Sequence, residues 1–197
     1  MSDYFTAKTF QIPELKGISK KNIEEHLKLY AGYVANANSI LAKIPEYEGY
    51  ANEDTFAPYV VNEIRRRFSF EFNGIRNHEL FFEQFELGAN AIDSNGKLYE
   101  AICKEFGSYE SFLTRFKSTA MTRGIGWAML SYDKISGHMI IHWIDEQHLG
   151  QLQNTAPILA LDMWEHSFVS DYQPSGKKQY IEDVFQNLNW KKVEERF

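Results

Sequence analysis

The chain has 197 residues, 44% of them hydrophobic and 15% aromatic, which is enough to bury a sizeable core and rules out disorder along its whole length. Its formal net charge of -6 excludes a general nucleic-acid binder, whose footprint is a net basic surface. No run approaches the ~18 apolar residues of a membrane span, and the opening "MSDYFTAKTFQIPELKG" lacks the basic start and apolar core of a signal peptide, so a soluble cytoplasmic protein is expected, with no membrane and no nucleic-acid partner.

From Ser19, a residue of the N-cap type, "SKKNIEEHLKLYAGYVANANSILAKI" sets Ile23, His26, Leu27, Tyr30, Val34, Ala37, Leu41 and Ile44 on one helical stripe. A polar, turn-prone stretch around "PEYEGYANED" follows. The pattern then repeats in "VVNEIRRRFSFEFNGIRNHELFFEQFE", with Phe72, Ile75, His78, Phe82 and Phe85 in phase. "LGANAIDSNG" reads as a linker near residues 88 to 96, dividing a helical N-terminal domain (1–90) from a C-terminal α/β domain (91–197).

Beyond it, "KLYEAICKEFGSYESFLTRFKSTAMTRGIG" predicts two helices broken at Gly107, with Cys103 as an inert core thiol. As the single cysteine, Cys103 leaves any metal to nitrogen and oxygen ligands. Three β-like runs follow, "WAMLSYD", "HMIIHWI" and "PILALDMW", with "DKISGH" suited to a hairpin, before "SGKKQYIEDVFQNLNWKKVEERF" returns to helix. The expected fold class is α+β: a helical hairpin lobe, then a lobe with a small, three-stranded antiparallel sheet flanked by helices.

Four side chains stand out as candidate metal ligands. His26 and His78 lie on apolar helical stripes, and "ILALDMWEHSF" ends an apolar run on Asp162 with His166 four residues later. Burying a carboxylate and an imidazole there requires compensation, which a metal ion supplies. Three imidazoles and one carboxylate suit iron, manganese or zinc. A histidine on an apolar helix face is more often a hydrogen-bonded core residue, and periodicity does not itself bring the four together, so both readings stand at this level. His138, His142 and His148 fall in or after a strand and are expected to be solvated.

"LDMWEHSF" resembles the C-terminal signature of the iron/manganese superoxide dismutases, and further matches run in order: "GISKKNIEEH", "FNGIRNH", "EFGSYESFLTRF", "TRGIGWAML" and "YIEDVFQNLNW". The resemblance covers nearly the whole chain. It implies superoxide as substrate and one mononuclear manganese or iron, bound by His26, His78, Asp162 and His166 with a solvent molecule as fifth ligand. It also implies an aromatic wall of Trp127 and Trp164, and Gln147 as hydrogen-bond partner of that solvent, with His148 as competitor if the register slips by one. Glu165 would pair with the partner's His ligand in a homodimer, placing Glu165 and His166 near the interface.

Departures from the family pattern carry their own expectations. Relatives have a His four residues after the first ligand and a Tyr eight after it; here Tyr30 stands four on and Tyr33 seven on. In helical projection Tyr33 lies about 20° from His26 and Tyr30 about 40°, so either ring is a candidate gateway residue. One residue missing from this helix would remove a π-bulge. Val169 stands where relatives carry the Tyr that reaches the missing His, so the funnel wall is expected to change while the dimer persists. Gly74, with Gln147 supplying the amide, leans towards manganese, and Ala160 does not discriminate. Local basic groups, Arg65 to Arg67 or Arg76, are candidates for steering an anion, although a solvated helix face accounts for the triple arginine better. The main alternative function is a catalytically inactive structural relative of the same fold; hydrolytic or oxygenase use of the site has only the generic ligand set in its favour.

Overall fold

The computed structural model describes residues 4–50 and 54–197. Two long helices dominate the N-terminal part, α1 (Lys20–Gly49) and α2 (Ala57–Glu83). Ser19 caps α1 through its hydroxyl, which accepts from the Asn22 N–H at 3.1 Å. Cross-contacts run Arg65 to Glu48, Asn36 to Glu71 and His26 to His78, so the helices pack antiparallel with their apolar stripes face to face. Ile23, His26, Tyr30, Val34 and Ala37 are buried from α1, and Ile75, His78 and Phe82 from α2.

The turn-prone "PEYEGYANED" begins later than the composition suggests. Helix α1 runs through Pro45 to Gly49, although an interior proline removes a helical hydrogen bond. The stripe explains it: Leu41, Ile44 and Tyr47 continue the helical spacing and are all half-buried, so packing carries the helix past the proline. Residues 51–53 of that stretch lie outside the described residues. The helix is α-helical throughout, with no π-turn between His26 and Tyr33.

After the connecting segment come α3 (Lys97–Phe106) and α4 (Tyr109–Ala120), separated at Gly107, whose φ of 86° is one that glycine adopts without strain. Strands β1 (Gly126–Asp133), β2 (Met139–Asp145) and β3 (Thr155–Asp162) form an antiparallel sheet in the order β2-β1-β3. The β1–β2 hairpin turns at "DKISGH", where Asp133 accepts from the N–H groups of Ile135 and Ser136. The β1–β3 register shifts at Leu130/Ser131, next to Pro157, a residue unable to donate to a ladder. Helices α5 (Lys177–Asn187) and α6 (Trp190–Glu194) close the chain.

One core joins the two parts. Phe81 and Phe82 at the end of α2, and Phe85 just beyond it, belong to the same buried cluster as Trp127, Leu159 and Ala160 of the sheet. Each fully buried aromatic contributes about 1.5–3 kcal/mol. Gln84, itself buried, donates to the Ala160 carbonyl at 2.8 Å, tying the end of α2 to β3. That contact brings the His78 face of α2 against the last residue of β3. Cys103 is only half-buried, on the flank of α3 whose inner face is Leu98, Ile102 and Phe106, which corrects the expected core thiol.

Candidate metal centre

His26 and His78 meet across the α1–α2 pair, their ring centroids 4.9 Å apart. Asp162 ends β3, and His166 follows in a short 3-10 turn, Glu165–Ser167. Possible ligand atoms of all four side chains lie within 4.8 Å of one another. Asp162 Oδ2 is 3.1 Å from His26 Nε2, 3.3 Å from His166 Nε2 and 3.6 Å from His78 Nε2. Its other oxygen accepts the Trp164 N–H at 2.8 Å, which turns Oδ2 towards the histidines. His26, His78 and Asp162 are fully buried, whereas 21% of the His166 side chain is exposed, so the cluster opens on the His166 side.

The protonation states follow from burial and partners. His78 Nδ1–H donates to the Gly74 carbonyl at 2.6 Å, leaving the Nε2 lone pair directed inward. Burial pushes the His78 pKa down to about 3, and the neighbouring His26 adds to the effect. Burial likewise lowers the His26 pKa, against the pull of Asp162. For Asp162 burial opposes ionisation, but the charge of His166 and hydrogen bonds from His166 and His26 outweigh it and hold the carboxyl below the usual range. A carboxylate therefore faces two imidazoles, His26 and His78, that burial keeps neutral.

His78 Nε2 has no hydrogen-bond partner although it is buried, and it looks at a carboxylate oxygen. Two acceptors facing each other in a buried site are compensated by a cation between them. The N3O donor set fits a divalent or trivalent transition metal with a position left open. His26, His78, Asp162 and His166 are the residues to hold it.

Around the four runs a wall of hydrogen bonds. Trp127 lies opposite Asp162 in the β1–β3 register, and directly opposed residues share a face, so its indole closes the site with its ring 5.1 Å from that of His78. Trp127 Nε1–H donates to Gln147 Oε1 at 2.9 Å, and Gln147 Nε2–H donates to the Tyr33 hydroxyl at 2.9 Å. Because an indole only donates, it must meet the amide oxygen, and this orients the amide nitrogen towards Tyr33. Trp164 stacks on His166 at 5.6 Å and 21°, its Nε1–H donating to the Glu146 carbonyl.

The two tyrosines part company. Tyr33 is at the site, its ring 5.0 Å from that of His78, with burial first and the charge of Asp162 second raising its pKa well above the usual phenol value. Tyr30, also a candidate gateway, instead turns its hydroxyl away: it accepts from the Lys8 N–H at 2.9 Å and donates to Glu79 at 3.1 Å. Its hydroxyl is thereby tied to the N-terminal segment and to α2.

Gln147 is fully buried between Trp127 and Tyr33, whereas His148 forms no hydrogen bond with either. His148 is half-buried edge-on to Phe70, and His142 is half-buried with Nε2 on the Ser131 hydroxyl at 3.0 Å; only His138, paired with Glu105, is solvated as expected. The cover differs: His142 lies on the partly covered face of β2, and His148, beyond that strand, is covered by Phe70 of α2. Glu165 and Val169 are exposed. Arg65, Arg66, Arg67 and Arg76 pair with Glu48, Glu63, Glu71 and Glu79 respectively.

Several residues that support the site escaped the sequence reading. Asn77 donates to the Gln147 carbonyl at 2.9 Å and accepts from Gln151, pinning the loop that carries the amide. Asn22 donates to the Ser167 carbonyl, and Tyr180 and Ser167 both donate to the Asp162 carbonyl. Asn22 and Asn77 were findable as polar residues on buried helical faces. Tyr180, on α5, gives no such signal.

A donor cluster of three imidazoles and a carboxylate, set between a helical pair and a three-stranded sheet, defines a mononuclear metalloprotein. The C-terminal domain model of the iron/manganese superoxide dismutases matches residues 94–196, more than half the chain. A protein named manganese superoxide dismutase from Corynebacterium diphtheriae is 37% identical over 139 residues, covering 70% of this chain and 69% of its own. One named iron superoxide dismutase from Aquifex pyrophilus is 31% identical over 188 residues, covering 93% and 85%. A manganese-named relative from Mycolicibacterium smegmatis is 33% identical over 174 residues, covering 87% and 80%. The chain belongs to the iron/manganese superoxide dismutase family.

Proposed function

We propose that the protein is a superoxide dismutase, an oxidoreductase that turns two superoxide anions and two protons into dioxygen and hydrogen peroxide. The observation that carries this reading is the convergence of His26, His78, Asp162 and His166 beside the Trp127–Gln147–Tyr33 hydrogen-bond chain. His26, His78, Asp162 and His166 would hold one manganese or iron ion per chain, which would supply the one-electron oxidation and reduction.

The chain's own residues do the rest. Asp162 contributes the negative charge of the donor set and favours the more highly charged state of a metal, while the backbone bond from Trp164 fixes its orientation. The bond from His78 Nδ1 to Gly74 holds that ring in the tautomer whose Nε2 is free to ligate. Tyr33 accepts from Gln147, so its own O–H proton is left to donate into the site, and the raised pKa keeps that proton in place at neutral pH. Trp127 and Trp164 form apolar walls that limit water.

Support for manganese comes from Gly74, which offers no side chain, and from Gln147 as the source of the amide; relatives named for either metal match the chain. A homodimer through Glu165 and His166 belongs to the same reading, supported by the exposure of Glu165 and of apolar Val169 beside the partly open His166. Sedimentation at micromolar concentration checks it, with a monomer as the contrary result. The reading also puts the protein in the cytoplasm, which cell fractionation checks. Among the described residues, no helix is long and apolar enough to cross a membrane.

The test is dismutation by metal-free protein reloaded separately with manganese and with iron, each with its metal content measured. Activity in either form supports the reading and ranks the metals. Full occupancy without activity in both forms would favour the structural relative that has lost its chemistry.

A further inference from the structure

Gly74 lies inside α2, buried, in ordinary helical conformation, so the backbone does not call for a glycine there, and alanine is the better helix former. The space above it does. A Cβ at this position would stand 2.5 Å from Tyr33 Cδ1 and 2.8 Å from both Cε1 and Cγ, closer than real Cβ atoms approach. These are atoms near the root of the ring, and the ring is not free to swing. It packs beside the rings of Phe70 and His78, at centroid distances of 5.9 and 5.0 Å, and its hydroxyl is held by Gln147 at 2.9 Å. The same residue's carbonyl takes the Nδ1–H of His78.

We propose that Gly74 is a positioning residue for the reaction: its missing side chain is the seat of the Tyr33 ring, and that seat places the Tyr33 hydroxyl on Gln147. Tyr33 reaches the site from α1 only seven residues after His26, over an unbroken α-helix, and the ring lies flat against α2 where Gly74 leaves room. Any side chain at residue 74 forces the ring out of line with Gln147.

The kinetic part of this proposal rests on the dismutase reading, while the structural part does not, and the experiment separates them. Full-length protein labelled with 3-fluorotyrosine is followed by fluorine NMR, the Tyr33 resonance being assigned by its loss in Tyr33→Phe. In Gly74→Ala the Tyr33 resonance is expected to shift while the other tyrosine resonances and the metal content per chain stay as in the unaltered protein. In metal-loaded protein, the loss of one oriented hydrogen bond should lower kcat about tenfold. In a Tyr33→Ala background, where the ring is gone, Gly74→Ala should add no further loss. An unmoved Tyr33 resonance in Gly74→Ala overturns the proposal, and so does a loss that is undiminished in the Tyr33→Ala background. If the unaltered protein proves inactive, the fluorine spectra still decide whether Gly74 seats the ring.

Discussion

The two walls of the metal site are built differently. On the helical wall, His26, His78 and Tyr33 arrive by period: the stripes that bury Ile23, Val34, Ile75 and Phe82 aim them at the same seam. On the sheet wall, Asp162 is the last residue of a strand, His166 and Trp164 lie in or next to a single 3-10 turn, and Gln147 sits in the segment between β2 and β3. Hydrogen bonds do there what periodicity does on the helices. Tyr180 and Ser167 hold the Asp162 carbonyl, Trp164 reaches the Glu146 carbonyl, and two of the bonds come across from the helices, from Asn22 and Asn77. The helical wall is thus secured by packing that also stabilises the fold, and the sheet wall by polar contacts that mainly serve the site.

That contrast is open to attack from both sides. The largest effect is expected from Asp162→Ala, which removes the one carboxylate of the donor set: metal affinity should fall by more than the ~10–100-fold typical of residues outside the ligand set, as read by metal analysis after dialysis. Retention of a full metal equivalent would show that the sheet wall is dispensable. Gln147→Ala cuts the chain between Trp127 and Tyr33 and should cost about 10–100-fold in dismutation, with the fold intact by circular dichroism.

Acid tests the helical wall. In metal-free protein His78 is depressed from 6.5 to about 3, and His26 is lowered too, so the unfolded chain takes up protons first as the pH falls. Their contribution to stability is complete above about pH 6.5 and is lost on going down towards pH 3. The depressed Asp162 adds a term present above its ordinary value of 3.8 and lost at still lower pH. Urea unfolding across this range should show stability declining steadily below about pH 6.5, and a flat profile would contradict the neutral, buried imidazoles. The smallest effect is expected from Tyr30→Phe. It breaks the bonds to Lys8 and Glu79 behind the site and should cost about 1–2 kcal/mol of stability by thermal melting, with dismutation unchanged to within about twofold. A larger loss of activity than of stability would return Tyr30 to the gateway.

The same contrast governs what was legible in the sequence. Helical spacing exposed His26 and His78 as buried polar residues, and an apolar run ending on an aspartate exposed Asp162 and His166. Their convergence was not readable from pattern, because it depends on the docking of α2 against β3 through Gln84 and the shared aromatic core. The choice between Tyr30 and Tyr33 was equally out of reach on the helix alone. What distinguishes Tyr33 is its contact with Gly74 and Gln147, both remote in the chain. The end of α1 was misplaced because Pro45 and polar residues outweigh Leu41, Ile44 and Tyr47 in composition but not in packing. The half-buried states of His142 and His148 arise from cover supplied by distant segments, which strand alternation does not record.

The most direct test of the central claim, that both walls converge on one redox metal, is anomalous diffraction at the manganese and iron edges from crystals of protein reloaded with each ion. The account predicts a single peak per chain, enclosed by His26, His78, Asp162 and His166. A peak elsewhere, at the His138–Glu105 pair for example, with none between the two walls, would contradict it.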